Sequence, residues 1–438
     1  MSSAISLNDS VAKVARRARA AARKLATLQT ETRNAILLAA AKSIENRREE
    51  ILSANARDCE AAQAGVAAGG MTQALLDRLQ TSKAGVTEMA AKVRAVAKLP
   101  DPIGRTLAVT ELAENLTLRK ISCPLGVIGV VFESRPDVIP QVAALCIKSG
   151  NAVLLKGGRE ATHTNAVLAR TWRDALVEFG DDLIHAVSLL RTREDVSAML
   201  ELRGLIDLIV PRGSKGFVNY IAAHSSIPVL GHGEGLCHIY VDEAADLEKA
   251  WSIVLDAKTN YPAACNAVET LLVHEAIAGQ FLPEMISRFQ QAGVEVRGCE
   301  GTRQLCGDSV GLATDEDWAT EYSDLIIAIK VVSFFDEAVA HIDQYGSQHT
   351  EAIITEDKPT AERFMELVDA AGVYHNASTR FADGYRYGLG AEIGISTSKL
   401  HARGPVGLEG LVTYKYKLFG DGHTVGEYSA NEQSRGEK

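Results

Sequence analysis

Seven cysteines, at positions 59, 123, 146, 237, 265, 299 and 306, are the side chains best suited to covalent chemistry. They are odd in number, scattered and free of any CxxC pair, so they read as reduced thiols rather than a disulfide framework. Cys265 differs from the others by position: in NYPAACNAVET it follows a Pro-containing loop and stands just ahead of an apolar strand. A thiol held in such a loop beside backbone amides can be partly exposed and act as a nucleophile. Local sequence alone favours the opposite reading, an inert small hydrophobe, and that reading is adopted for Cys146 and Cys237, which are flanked by apolar residues. His232, Cys237 and His238 lie close together, but their spacing is not a usual zinc pattern and no second cluster completes it. No metal site is expected.

Three loops offer anion chemistry. PRGSKG, with Gly213 and Ser214, follows the strand-like LIDLIV and precedes a helical stretch, so its amides can hold a diphosphate at a helix N-terminus or simply form a tight turn. The run SKLHARGP, with Lys399, His401 and Arg403, lies between Gly clusters and is either an anion site or a solvated surface. KGGRE ends another apolar run. There is no GxGxxG opening a first βαβ unit and no GxxxxGK[ST], so a dinucleotide has to bind by another mode.

The elements around these loops are legible as patterns. From about Ser10 to Lys98 the chain is Ala-, Leu- and charge-rich with helical spacing, interrupted by the turn signal GVAAGGMT. Between Leu107 and Ser122 apolar and polar residues alternate, with Asn115 at a hairpin turn, which predicts a two-stranded arm. A strand-then-helix rhythm follows: GVIGVVFES before PDVIPQVAALCIKSG, NAVLLKGG before EATHTNAVLARTWRDAL, LIDLIVPRGS before KGFVNYIAAH. Such alternation builds a parallel sheet covered by helices, whose ligands gather beyond the carboxyl ends of the strands, so FESRP, KGGRE and PRGSKG point toward one crevice. A second α/β domain is expected from about Leu236, with strands LCHIYVDE, TLLVH, SDLIIAIKVV and TEAIIT, and the Gly-rich tail closes on an alternating strand. No fixed-period repeat is present, and the last ~15 residues are expected to fray.

The bulk numbers bound the class. With 438 residues, 46% hydrophobic and 23% charged, the chain has the composition of a globular protein of roughly two to four domains, two large ones being the reading adopted. A net charge of −10 argues against a general polyanion binder. No stretch reaches membrane-span length, and the Arg-rich start reads as an ordinary amphipathic helix rather than a transit peptide, so a cytoplasmic protein is expected.

Taken together, PLGVIGVVFESRPDVIPQVAALCIKSGNAVLLKGG, PACNAVETLLVH and GAEIGISTSKLHARGPVGLEGLVTYKY closely resemble the gamma-glutamyl phosphate reductases, a branch of the aldehyde dehydrogenase superfamily, over nearly the whole chain. The resemblance implies an aldehyde-dehydrogenase-like α/β fold. Residues 1–106 and 123–235 are then an NADPH-binding domain and 236–377 a catalytic domain with Cys265. Residues 378–405 are a Gly-rich return segment at the active site, and 107–122 with 406–420 an oligomerisation arm. It also implies NADPH-dependent reduction of L-glutamyl 5-phosphate to glutamate 5-semialdehyde through a Cys265 thioester. Developing oxyanions would meet backbone N–H groups near Cys265, Asn266 being counted with the catalytic set, and a side chain of the FESRP loop. Aldehyde-oxidising relatives carry Pro-Trp-Asn where this chain has Phe132, Glu133 and Ser134, so Ser134 replaces their oxyanion-hole Asn. Their hydrolytic Glu falls where this chain has Gly231, with Glu234 out of register, which suits a reductase that must not hydrolyse its thioester. Lys156, Gly157 and Arg159 of KGGRE suit the 2′-phosphate of NADPH, with Gly213 and Ser214 as further cofactor contacts. Arg135, Lys399 and Arg403 are the candidates for the substrate carboxylate and phosphate. A homo-oligomer is expected, and glutamate 5-kinase is a plausible partner on pathway logic. A semialdehyde-oxidising dehydrogenase and a non-catalytic binding protein on the same scaffold are the alternatives.

Overall fold

The computed structural model describes residues 2–67, 73–231, 233–426 and 428. The chain divides into two compact units: one takes in residues up to Arg212, Ile221–Val229 and the chain from Gly407 onward, the other Gly213–Tyr220 and Leu230–Val406. Gly213–Tyr220 and residues 230–235 therefore pack with the second unit, ahead of the boundary expected at 235/236.

The first unit opens with helices Ser2–Leu25, Thr30–Asn46, Arg48–Ala67, Gln73–Leu79 and Lys83–Lys98. Most of the turn signal GVAAGGMT lies outside the described residues. The first helix is the amphipathic one expected: Val11, Ala15, Ala18, Ala21, Ala22 and Leu25 recur at helical spacing and are buried, while its arginines stay out. Next come β1 (Thr106–Ala113) and β2 (Leu116–Pro124), an antiparallel hairpin turned at Asn115, whose φ of 61° is the left-handed conformation that asparagine tolerates. Then β3 (Val127–Phe132), β4 (Ala152–Lys156), β5 (Val187–Leu189) and β6 (Leu208–Arg212) form an all-parallel sheet in the order β5-β4-β3-β6. Every residue of β3 and β4 is buried, as continuous apolar runs in a sheet covered on both faces must be. Gly129 in β3 is fixed by packing: a Cβ there would meet Ile209 Cδ1 at 2.7 Å and Met199 Sδ at 2.9 Å.

The second unit carries β7 (Cys237–Val241), β8 (Val268–His274), β9 (Glu295–Gly298), β10 (Gly311–Leu312), β11 (Ile326–Val332), β12 (Thr350–Ile354) and β13 (Gly372–His375). They form a parallel sheet in the order β10-β9-β11-β8-β7-β12-β13. Its two faces bury separate cores. Ile239, Val241, Leu271 and Val273 pack with Phe281, Met285 and Phe289 of helix Glu275–Gln291, whereas the intervening Tyr240 and Leu272 pack with Ile342 and Phe364 of the helices opposite. A small ribbon of β14 (Ile395–Ser396) and β15 (Gly404–Pro405) follows. The last strand, β16 (Val412–Phe419), returns to the first unit and pairs antiparallel with β2 from Val412↔Pro124 to Phe419↔Thr117, so the arm is a three-stranded sheet, β1-β2-β16. The joining of 107–122 to the closing strand is the pairing expected. Among the described residues no helix is long and apolar enough to cross a membrane.

Candidate active site

In the first unit the loops after β3, β4 and β6 leave the same edge of the parallel sheet, because Val131 pairs with Lys156 and Phe132 with Arg212 at the strands' carboxyl ends. Ser134, two residues past β3, is buried with φ of 41°. Both its N–H (2.6 Å) and its hydroxyl (2.9 Å) donate to Glu160 Oε1 of the KGGRE turn. Its hydroxyl is thus committed to a carboxylate. Sequence reasoning had no signal for this bond, since Glu160 lies 26 residues on and reaches back only through the parallel pairing of β3 and β4.

Lys156 ends β4 and is 7% exposed, yet no carboxylate pairs with it among the described residues. Burial lowers its pKa from the ordinary lysine value, and Glu160 opposes that shift. Gly157 is held close to Asn165: a Cβ would fall 2.2 Å from Nδ2 and 3.0 Å from Phe132. Asn165 Oδ1 is buried without a hydrogen-bond partner. Arg159 is exposed and Arg135 half-buried at the start of helix Val138–Lys148, and neither has an ion pair among the described residues. A buried unpaired ammonium, a neighbouring guanidinium and an orphaned amide oxygen fit the ribose of a nicotinamide dinucleotide.

In the second unit Cys265 lies in the turn between helix Leu247–Thr259 and β8 and is partly exposed. The loop turns at Tyr261, whose φ is 62°, and is tightened by N–H donation from Ala264 to Tyr261 O (3.1 Å) and from Ala267 to Ala264 O (2.9 Å). Gly235 runs against it so closely that a Cβ there would sit 1.9 Å from Cys265 O and 2.6 Å from Cys265 Cα. The Cys237 thiol donates to Cys265 O at 3.4 Å. Asn266 is buried and donates from Nδ2 to Ala382 O (2.8 Å) and Arg380 O (3.5 Å), leaving Oδ1 without a partner. Its side chain holds the loop rather than facing outward to solvent.

The other thiols separate from Cys265 on physical grounds. Burial pushes up the thiols of Cys59, Cys123, Cys146, Cys237 and Cys306, which disfavours the thiolate a nucleophile needs. Cys299 caps a helix and accepts from Val331 N–H at 3.4 Å. His232 lies outside the described residues. Cys237 contacts His349 Nδ1 (3.7 Å), and His238 pairs with Glu351 (3.0 Å), so each has its own partner. Among the described residues no group of three His, Cys, Asp or Glu side chains could hold a metal.

The remaining site candidates fall into two groups. Gly213 and Ser214 precede helix Lys215–His224, and Val218 N–H donates to Ser214 O at 2.9 Å in its first turn. Lys215 pairs with Glu234, so the carboxylate next to Gly235 is tied to an ammonium. Lys399 and Arg403 converge on one carboxylate, Asp369, with Arg403 Nη1 2.7 Å from Oδ1. Together they hold the Asp369 carboxyl below the usual carboxylate range. The sequence pattern placed these two cations in one loop but gave no hint of Asp369, 30 residues before Lys399.

The sequence model of the aldehyde dehydrogenase family matches residues 4–302. The gamma-glutamyl phosphate reductase of Natronomonas pharaonis is 53% identical over 415 residues, 95% of this chain and 94% of that protein. That of Synechococcus sp. (strain JA-3-3Ab) is 54% identical over 412 residues, 94% of this chain and 90% of that one. The crystal structure of gamma-glutamyl phosphate reductase from Thermotoga maritima superposes with a TM-score of 0.91 at 42% identity, covering 94% of this chain and 99% of that one. A glyceraldehyde-3-phosphate dehydrogenase from Methanocaldococcus jannaschii, complexed with NADP, shares the fold at a TM-score of 0.66 and 16% identity over 94% of this chain and 95% of that one. With a fold, about half of its residues and nearly its whole length in common with them, the chain belongs to the gamma-glutamyl phosphate reductases of the aldehyde dehydrogenase family.

Proposed function

We propose that the protein reduces L-glutamyl 5-phosphate to L-glutamate 5-semialdehyde with release of phosphate, using NADPH, as a step of proline biosynthesis. The observation that carries this reading is the identity of 53% over 95% of the chain with a protein of that name.

The chemistry follows from the residues. Cys265 Sγ, as thiolate, attacks the acyl carbon, and the bond to the phosphate oxygen breaks, so inorganic phosphate leaves and a thioester remains on Cys265. NADPH, when bound, supplies a hydride to that carbonyl carbon. Collapse of the thiohemiacetal breaks the carbon–sulfur bond, frees the aldehyde and returns the thiolate. Backbone N–H groups of the Cys265 loop would meet the oxyanion of both steps. Ser134, the other donor proposed, has its hydroxyl committed to Glu160 and would have to release it to serve.

Water must not reach the thioester, because hydrolysis would waste the activated acyl group. Gly235 packs its backbone against the Cys265 peptide, and Glu234 beside it is held in an ion pair with Lys215 rather than poised over the thiol as a general base would be. This favours reduction over the oxidative, hydrolytic alternative. Lys156, Gly157 and Arg159 would hold the 2′-phosphate side of the cofactor, and Gly213 with Ser214 its diphosphate. Arg135, Lys399 and Arg403 are proposed for the substrate anions, the last two by exchanging Asp369 for substrate. A cytoplasmic homo-oligomer is proposed, built through the arm, whose outer strands β1 and β16 each have one free edge among the described residues. A kinase supplying the labile acyl phosphate is the natural upstream partner.

The reverse reaction provides the test. Glutamate semialdehyde should generate NADPH only when phosphate or arsenate is present, with NADP preferred over NAD. Phosphate-independent NADPH formation would instead establish a hydrolytic dehydrogenase, and no hydride transfer at all a non-catalytic protein.

A further inference from the structure

Arg380 is the cation most intimately attached to the Cys265 loop, and no sequence motif singles it out. It lies on a single 3-10 turn, Thr379–Phe381, and is only 7% exposed. Its Nε donates to Asn260 O at 2.5 Å, ahead of Cys265, while its own carbonyl accepts from Asn266 Nδ2 at 3.5 Å, just after Cys265. The residue therefore spans the loop from one end to the other. The same carbonyl accepts from Arg386 Nη1 at 3.0 Å, which brings a second guanidinium to the turn.

The donor count is incomplete. A guanidinium offers five N–H donors in a rigid fork, and among the described residues the Nε bond to Asn260 is the one bond that of Arg380 makes. Among the described residues no carboxylate lies within ion-pair distance of it. The nearby Asp383 carboxylate is taken up by the N–H groups of Tyr385 (2.9 Å) and Arg386 (3.1 Å) and by the Arg386 side chain. Three more deeply buried cations have partners, Arg33 with Asp101 and Leu28 O, Lys258 with Glu269 and Val268 O, and Lys148 with Asn34 and Ala97 O, whereas Lys156, assigned above to the cofactor, shares with Arg380 the lack of a carboxylate among the described residues. A buried charge without a counter-ion is costly to hold. Burial and Arg386 push the Arg380 pKa down, and the leading influence in the other direction is Cys265, so the two groups interact electrostatically. Next to it, Thr379 Oγ1 is fully buried and also lacks a hydrogen-bond partner.

We propose that the Arg380 guanidinium is the receptor beside Cys265 for an oxyanion group of the substrate, its phosphate or its carboxylate. The proposal rests on the acyl-phosphate reading above. It moves the anion site from Lys399 and Arg403, which already share Asp369, to a cation that lacks one. A planar fork suits either anion bidentately, and its place beside the thiol lets it orient the acyl group for attack.

The reverse reaction separates the two anions, because the carboxylate is carried by the semialdehyde and the phosphate is free. Wild-type protein is assayed first; a lack of phosphate-dependent NADPH formation there would count against the proposed function, not against Arg380. R380M and R380K are then measured for KM toward each substrate, with thermal melts and iodoacetamide alkylation of Cys265 alongside. R380M should raise one KM roughly 10- to 100-fold, as loss of a charge-assisted hydrogen bond does, and R380K should recover part of it. A rise for phosphate alone identifies the phosphate as the ligand, and a rise for the semialdehyde alone the carboxylate. In wild type that anion should also slow alkylation of Cys265, an effect absent in R380M. Unchanged KM values with a fall only in kcat, or equal rises with a lowered Tm in both variants, would make Arg380 a mere clasp of the loop and overturn the proposal.

Discussion

Gly235→Ala puts the placement of Cys265 to a direct test. The added methyl would lie 1.9 Å from Cys265 O and 2.6 Å from both its carbonyl carbon and its Cα. Ordinary van der Waals contact begins at 3.4 Å, so the Cys265 peptide or the Gly235 backbone must yield by about 1.5 Å. Neither is a flexible side-chain end. The Cys265 loop is fixed by Asn266, by Arg380 and by the Cys237 thiol on the very carbonyl that is struck. A misplacement of about 1 Å costs on the order of 100-fold in rate when the reacting atoms must align, so kcat should fall at least that far. Overpacking should lower stability by about 1 to 3 kcal/mol, which leaves a folded protein to assay. The measurement is kcat of the phosphate-dependent reverse reaction, normalised to the folded fraction by circular dichroism, together with the rate of Cys265 alkylation. A G235A protein with wild-type kcat would show that the loop geometry does not govern the chemistry, and the reasoning would fall.

Three further outcomes are expected. Cys265→Ala should abolish hydride transfer while the thermal melt stays within experimental error of wild type, since the thiol is partly exposed and makes no hydrogen bond among the described residues. Lys156→Met should raise KM for NADP roughly 10- to 100-fold and for NAD much less, as steady-state titration with both cofactors would show; equal effects would remove Lys156 from the 2′-phosphate. Burial opposes ionisation of Asp317, but hydrogen bonds from Thr314, Arg297 and Tyr322 outweigh it and hold the carboxyl at about 2, against 3.8 when unfolded. The unfolded chain thus binds the extra proton first. The associated stability, about 2 kcal/mol, is fully present above about pH 4 and lost as the pH falls from there to about 2; D317N should remove that part of the acid dependence in urea titrations.

What the sequence revealed and concealed has a common physical cause. The hairpin at Asn115 and the apolar runs of β3, β4, β7 and β8 are local patterns, and they stand where the alternation and the continuous apolar stretches put them. The short strands β9, β10 and β13, of four residues or fewer, carry too few positions to show a period and went unread. The region between TLLVH and SDLIIAIKVV, with its long helix Glu275–Gln291 interrupted by Pro283, likewise went unassigned. Cys265 stands apart by a loop punctuated by Pro262 and followed by a strand, but it is the resemblance carried by the ordered blocks around it that makes it the expected nucleophile. Its supports could not be read in this way. Gly235 precedes it by 30 residues and meets the loop through backbone atoms, and Arg380 follows it by 115 and meets it with its guanidinium at one end and its carbonyl at the other. The same holds for Glu160 beneath Ser134 and Asp369 beneath Lys399 and Arg403, partners set by tertiary pairing rather than spacing.

The pairing of β2 with β16 also sets an order of events during synthesis. Thr117 of the hairpin meets Phe419, and the buried Asn151 amide donates to Leu411 O at 2.8 Å, so the first unit borrows its last pieces from the far end of the chain. A ribosome that has delivered both strands of the hairpin still has nearly three hundred residues to add before β16 emerges. Through that interval β2 shows an open edge, and Tyr414, Tyr416 and Leu418, which stay exposed on the finished arm, are not yet made. The three-stranded arm therefore cannot be completed until the whole second unit has been translated.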